Sequence, residues 1–467
     1  MSTFLLVVFD GLRPDMVRPD TTPNLMNFAA SGASFLRARS VFPSETRVCS
    51  ASVATGCLPR RHGLVANRIP HPLDATRSVD TGHMTLLKQI EQDTGAPLLD
   101  APTIARLLHG AGRDFAILSS GTTGQTYVLN PEADALDQLT LSVHGPEYCT
   151  AKGRGLLAKL PPPPVAPAER AVWLVEAYRA HILPAPPDVS ILWLCEPDTS
   201  GHYQGLGGPA QLDALRAADA AFGRLIADWR AGPHAESLTI AVASDHGHAT
   251  ITGLHPIAPA LIGSPAEGAT LMAGSSCGLA WPDASAETIA AAADWLTRQE
   301  WAGAVFAADG IDRPPGVLPS SAVLADHRRA AQVVFTLRAA NDASARGLPG
   351  TTLYDGTLPI GGGTHGGLLA AELHTVLMFA GARIRPGTLA DAPAGLCDIA
   401  PTALALLGLP GGAAMDGRVL AEALQDGTAP DLHPASESWE AAQGAYRQRL
   451  ARTRLGRHIY LDEGYRG

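Results

Sequence analysis

Six Asp and His residues stand where this chain could assemble a metal centre. Asp10 closes the apolar run "LLVVFD", and Asp198 closes "ILWLCEPD", with His202 four residues later. Asp245 and His246 close "IAVASDH", and His365 lies in "GGGTHGG" before the apolar run "TVLMFAG". Mixed imidazole and carboxylate sets suit divalent ions of hard-to-borderline character, zinc in particular, with manganese or iron as alternatives. Six ligands are too many for one catalytic tetrahedral ion, which keeps an open position. They suit a pair of ions about 3.5–4 Å apart, which can hold the attacking and the leaving oxygen of a phosphoryl transfer. Taken singly, each residue has a simpler reading: a strand-end Asp can cap a helix, and a His among glycines can be a loop residue. Those readings would all have to hold at four places in one chain.

Thr46 supplies a reason for the centre. It lies in "FPSETRVCS", between a β-rich segment and a helix start. A threonine hydroxyl is a poor nucleophile until a bound cation lowers its pKa.

The elements needed to position these residues are legible. "FLLVVFDG", "DFAILSS", "DVSILWLCEPD", "LTIAVASDHG" and "TVLMFAG" read as buried strands. "TTPNLMNFAASG" reads as a helix with Thr22 as cap and Gly32 as stop. "APTIARLLHGAG", "APAERAVWLVEAYRAHI" and "PAQLDALRAADAAFGRLIADWRAG" carry helical spacing. Alternating strands and helices predict an α/β three-layer sandwich with a largely parallel sheet, whose ligands sit at the carboxyl ends of the strands. Residues 1–248 and 362–430 form the expected core. Residues 249–361, rich in Gly and Pro with one helix pattern ("SAETIAAAADWLTRQ"), are expected as an inserted cap. Residues 121–165 read as a polar, loop-rich region ending in "LPPPPVAP", a stiff connector. Residues 431–467 read as a basic helix and tail, a solvated surface or a contact in a homodimer.

Bulk properties narrow the partners. With 467 residues, 46% hydrophobic and 17% charged, the chain reads as a soluble enzyme. A net charge of −10 argues against binding a nucleic-acid polymer. The six cysteines form no C-x-x-C pair and read as buried free thiols of a reducing compartment. The N-terminal apolar run is too short for a signal or a membrane span, so a cytoplasmic protein that does not engage membranes is expected.

Together, "FDGLRPD", "TPNLMNFAASGASF", "FPSET", "TGCLPRRHGLVAN", "EPDTSGHYQG", "SDHGH", "THGG" and "CDIAPTALALLGLP" resemble the alkaline phosphatase superfamily. The similarity is to its type I phosphodiesterase/nucleotide pyrophosphatase family, and the pieces occur in that family's order. The resemblance implies a two-zinc hydrolase of phosphodiesters or pyrophosphates. It implies Thr46 as the nucleophile that becomes phosphorylated. One ion would be held by Asp10, Asp245, His246 and Thr46, the other by Asp198, His202 and His365. Asn67, 21 residues after the nucleophile, would hydrogen-bond a phosphate oxygen.

This chain also departs from the family. Nucleotide-cleaving members carry an aromatic residue after the nucleophile, whereas here Arg47 stands there, either to bind an anionic substrate group or as a structural ion pair. "THGG" resembles phosphonoacetate hydrolase-type relatives, but "SSGTTGQTYVLNP" lacks the lysines with which those hold a carboxylate. A phosphonate hydrolase, a phosphomonoesterase and a catalytically silent binding homologue are the alternatives. His248 and His255 are not required by the pattern; His248 is expected as an ordinary loop residue, with a supporting partner of a metal ligand as the alternative.

Overall fold

The structure, a computed structural model, describes residues 2–428 and 433–467. Its centre is an eight-stranded sheet. In spatial order the strands are Thr388–Ala390, Ala33–Phe35, Leu377–Gly381, Leu238–Ala243, Thr3–Phe9, Val189–Leu194, Phe115–Ser119 and Leu139–Ser142. Thr3–Phe9 pairs in parallel with Val189–Leu194 on one side and Leu238–Ala243 on the other. Its residues from Phe4 to Phe9 are buried on both faces, which is why the sequence shows a continuous apolar run and no alternation. Two apolar clusters cover the faces. One gathers around Phe42, Val48, Ile104 and Trp193, the other around Phe9, Phe28, Tyr178 and Phe222.

Leu377–Gly381 alone runs antiparallel to its neighbours Leu238–Ala243 and Ala33–Phe35. Its start, Leu377, pairs with Ala243, so the loop leading into it meets the carboxyl ends of the parallel strands. That reversal brings His365 to the same edge as Asp10, Asp198 and Asp245.

Several expectations are corrected. Thr22 occupies the cap position of helix Pro23–Ala30 without capping it by its side chain. The amides of Asn24 and Leu25 donate instead to the buried Asp219 carboxylate of helix Pro209–Ala231, at 3.0 and 2.9 Å. Residues 121–165 are not a loop region: they form helices Thr123–Leu129 and Ala151–Leu157 and the sheet's edge strand Leu139–Ser142. The basic C-terminal segment is no helix. It forms the antiparallel strands Ala435–Gln443, Tyr446–Leu455 and His458–Arg466. Gln443 pairs with Tyr446 and Leu455 with His458, so two-residue turns join the strands, with Gly444 and Gly456 at positive φ. Tyr446, Gln448 and Leu450 alternate inward between exposed arginines, a period of two that the run of arginines disguised.

Residues 249–361 hold much of two further sheets. Ala339–Ala343, Pro349–Tyr354, Ala249–Leu254 and Gly363–Thr364 make one of four strands. Thr270–Met272, Ser276–Ala280, Val333–Leu337, Ala302–Ala307 and Leu318–Pro319 make one of five, backed by helix Ala286–Thr297. All six cysteines are buried and unpaired. Among the described residues no helix is long and apolar enough to cross a membrane.

His62 gives the fold a pH dependence. It is fully buried, its Nε2 lies 3.0 Å from Ser52 Oγ, and its Nδ1 accepts from the Leu64 amide. Burial, reinforced by the neighbouring His327 and Arg329, lowers its pKa from 6.5 to about 3. Between those values the unfolded chain binds a proton that the folded chain refuses, so stability falls as pH drops below 6.5, by roughly 1.4 kcal/mol per pH unit. In urea denaturation of His62→Gln, roughly 2 kcal/mol of the wild-type loss between pH 6.5 and pH 5 should vanish. Equal pH slopes in the two proteins would refute the assignment.

Candidate active site

The three central strands deliver the carboxylates. Asp10 follows Phe9 directly, Asp245 comes two residues after Ala243, and Asp198 opens helix Asp198–Gln204 four residues after Leu194. His202 lies one turn further along that helix. Thr46 is the first residue of helix Thr46–Thr55, where the opening amides lack partners within the helix and favour negative charge. All seven residues named from sequence as the metal shell, and Asn67 and Arg47 beside them, come together. Asp10, Thr46, Arg47, Asn67, Asp198, His202 and His365 line one cavity of about 570 Å³; Asp245 and His246 are fully buried behind that lining, with His246 Nε2 3.2 Å from Thr46 Oγ1.

The carboxylates are half satisfied in a systematic way. Asp10 Oδ2 accepts from Trp193 Nε1 at 2.9 Å, and Asp245 Oδ1 accepts from the amides of Gly11 (3.0 Å) and His246 (3.1 Å). Their other oxygens, Asp10 Oδ1 and Asp245 Oδ2, are buried with no hydrogen-bond partner. Leaving a buried carboxylate oxygen unpaired is costly, and both of these point at His246 Nε2, 3.4 and 3.3 Å away. Thr46 Oγ1 lies 3.2 Å from the same nitrogen. Atoms about 2 Å from a single tetrahedral ion stand roughly 3.3 Å from one another. These four donors therefore have the spacing of a ligand shell.

The imidazoles are oriented for the same purpose. His246 Nδ1 lies 3.0 Å from Gly247 O, His202 Nδ1 2.7 Å from Gly363 O, and His365 Nδ1 2.8 Å from Ser44 O. A carbonyl only accepts, so each Nδ1 carries the proton and each Nε2 turns a lone pair into the cavity floor. His202 Nε2 and His365 Nε2 approach Asp198 Oδ1 to 3.1 and 3.6 Å. Lone pairs facing a carboxylate repel unless a cation lies between them. Backbone carbonyls holding the distal nitrogens are the usual support of metal-ligating histidines.

Charge crowding points the same way. Burial, with Asp245 and Asp198 nearby, raises the Asp10 pKa well above the carboxylate range. Burial, with Asp198, raises Asp245 to about 8. Burial lowers His246 to about 3 and, with His246 adjacent, takes His365 well down. Asp10, Asp245 and the nearly buried Asp198 crowd one spot, where charge on all three becomes favourable when divalent ions cancel it. Two groups could hold such an ion: Asp10, Asp245 and His246, and Asp198, His246, His248 and His365. His202 is absent from the second group, although its Nε2 is within 3.1 Å of Asp198 Oδ1. The locked tautomer and this distance keep it in the shell.

Sequence reasoning missed the burial of His248. It lies on the connection between strands Leu238–Ala243 and Ala249–Leu254, as expected, but is fully buried, with Nε2 3.0 Å from Asp198 Oδ1. The signal was its spacing, two residues past His246 on a turn that must re-enter the core. His255, by contrast, stacks on Trp301 with ring centroids 4.8 Å apart. Glu45 was missed as well. Its carboxylate accepts from the Asn67 amide and, at 2.8 Å, from Ser276 Oγ, tying three segments together. Asn67 Oδ1 accepts from the Arg47 amide at 3.2 Å, which leaves the Asn67 side-chain NH2 free to donate into the cavity. Arg47 lies 3.6 Å from Asp80, a long ion pair, and Arg68, Arg170 and His144 also line the cavity.

Residues 4–294 match the model of the family described as type I phosphodiesterase/nucleotide pyrophosphatase. The mouse protein described as bis(5'-adenosyl)-triphosphatase enpp4 is 38% identical over 63 residues, 14% of this chain and 14% of that protein. Murine ectonucleotide pyrophosphatase/phosphodiesterase 5 superposes with a TM-score of 0.63 at 20% identity, over 88% of this chain and 96% of that one. One such murine structure is of an inactive threonine-to-alanine variant in complex with AMP. The human protein of the same name gives 0.62 at 19% identity, over the same shares of the two chains. With the fold shared and more than half its length matched by the family model, the chain belongs to the type I phosphodiesterase/nucleotide pyrophosphatase family, whose members are metal-dependent hydrolases.

Proposed function

We propose that this protein hydrolyses phosphodiester or pyrophosphate bonds of small substrates through a phosphothreonine formed on Thr46, with two divalent ions bound. The observation that carries the reading is the orphaned pair of buried carboxylate oxygens, Asp10 Oδ1 and Asp245 Oδ2, converging with Thr46 Oγ1 on one imidazole lone pair. Asp10, Asp245, His246 and Thr46 would hold one ion, and Asp198, His202 and His365 the other. When bound, the ions lower the pKa of the hydroxyl and neutralise charge on the attacking and leaving oxygens. Zinc suits this donor mixture best.

The chain's own groups then divide the work. Thr46 Oγ1 attacks phosphorus in line with the leaving oxygen, and water later hydrolyses the threonine ester. The free Asn67 NH2 and the Thr46 amide at the start of helix Thr46–Thr55 stabilise charge on the phosphoryl oxygens. Glu45 keeps Asn67 at its distance from Thr46. Arg47 and Arg170 favour a substrate whose non-reacting part is anionic, which fits a pyrophosphate and also a phosphonocarboxylate. The position next to Thr46 offers no aromatic ring, but Tyr203 and Tyr354 line another wall and can stack on a base. AMP in the murine neighbour supports a nucleotide. Residues 249–361 supply Met272, Ser276 and Tyr354 to that cavity, and we assign them to specificity. The buried free thiols fit a reducing cytoplasm.

Thr46→Ala should abolish turnover while metal analysis still finds two ions per chain. Loss of the ions with wild-type activity intact would defeat the mechanism. Asn67→Ala should keep both ions and lose about 10²–10³ in kcat on an aryl phosphodiester. On a panel of aryl diester, aryl monoester, dinucleoside pyrophosphate and phosphonoacetate, kcat/KM should be highest for the diester or the pyrophosphate. Phosphate release from phosphonoacetate as the best reaction would replace this reading with carbon–phosphorus hydrolysis.

A further inference from the structure

The fourth imidazole, His248, has no part in the function proposed above, yet it is built like the other three. It follows Asp245 and His246 on the turn that leaves the central sheet and enters strand Ala249–Leu254. Its side chain is completely buried. Its Nδ1 lies 3.1 Å from Gly11 O, which can only accept, so Nδ1 carries the proton. Its Nε2 therefore presents a lone pair to Asp198 Oδ1 at 3.0 Å. Two acceptors face one another at contact distance, as His202 and His365 do around the same oxygen.

Two glycines clear the space for this ring. A Cβ on Gly11 would come within 2.3 Å of His248 Cε1, and one on Gly363 within 2.8 Å of Cδ2. Gly11 follows the ligand Asp10 at φ +68°, and Gly363 supplies the carbonyl that holds His202. Arg13, buried and paired with Asp15 at 2.6 Å, donates to the His248 carbonyl and fixes the turn. The His248 ring centroid stands 5.2 Å from that of His202 and 5.4 Å from that of His365. The three Nε2 atoms lie 3.0–3.6 Å from one carboxylate oxygen, the spacing of donors around a common ion.

We propose that His248 is a further protein ligand of the ion on the Asp198 side, completing with His202 and His365 a three-imidazole face opposite that carboxylate. The inference rests on the two-ion reading. It makes the two positions chemically unequal. The Asp198 position has three nitrogens and one oxygen, against one nitrogen and three oxygens at the Thr46 position. A borderline ion such as zinc is drawn to the first, while the second tolerates harder ions such as manganese.

The test is a crystal structure of the zinc-loaded wild-type protein, with chelator competition on His248→Ala and, as a control, His255→Ala. We expect His248 Nε2 at about 2.0–2.1 Å from a zinc ion. We also expect one of the two zinc equivalents to weaken about tenfold or more in His248→Ala, with both unchanged in His255→Ala. Two bound zinc ions with His248 Nε2 beyond 3 Å from each and still against Asp198 would overturn this inference and leave the two-ion reading standing. So would unchanged affinity in His248→Ala. Absence of zinc from the wild type would overturn both.

Discussion

The interaction on which the rest of this structure depends is the forced proximity of Asp10, Asp198 and Asp245 at the ends of three adjacent parallel strands. Parallel pairing places consecutive strand ends side by side, and the apolar faces of those strands leave the carboxylates nowhere to go but into a buried floor. Asp10 and Asp245 are then fixed by donors on one side and starved on the other. Burial first, and the crowding of carboxylates second, raises the pKa of both. A site of this kind is destabilising for the bare fold and favourable only when positive charge enters it.

Backbone carbonyls impose the complementary order on the imidazoles. The carbonyls of Gly247, Gly363, Ser44 and Gly11 each accept a hydrogen bond from a different Nδ1, and those four residues come from four separate segments. The lone pairs therefore converge only when every one of these segments is in register. This links the centre to Glu45 as well, since its carboxylate joins the turn before Thr46 to Asn67 and to Ser276 of the five-stranded sheet. Thr46 and that part of the cavity wall are thereby parts of one hydrogen-bonded frame.

The cavity combines that anionic floor with a rim of opposite character. Arg47, Arg68, Arg170 and His144 line it together with Tyr203 and Tyr354. Arg47 is held only by the long contact with Asp80 and a 3.5 Å contact with Thr81 Oγ1, so its guanidinium remains available to an anion. A small substrate with a second negative group satisfies both floor and rim.

The sequence by itself determined the strand ends, the carboxylates and histidines on them, Thr46 and the α/β alternation, because buried parallel strands are short apolar runs that stop at polar residues. It misread the C-terminal arginine-rich segment, whose period of two was hidden by charged outward positions, and residues 121–165, whose short helices and edge strand carry little periodicity. It could not assign His248 or Glu45. A histidine two residues past a ligand is ambiguous until Gly11 and Gly363 open a slot for its ring, and a glutamate before the nucleophile is mute until Asn67 and Ser276 reach it. Those contacts join residues up to 237 positions apart. The register of Thr3–Phe9 against Leu238–Ala243 sets Gly11 beside His248, and the five-stranded sheet carries Ser276 to Glu45.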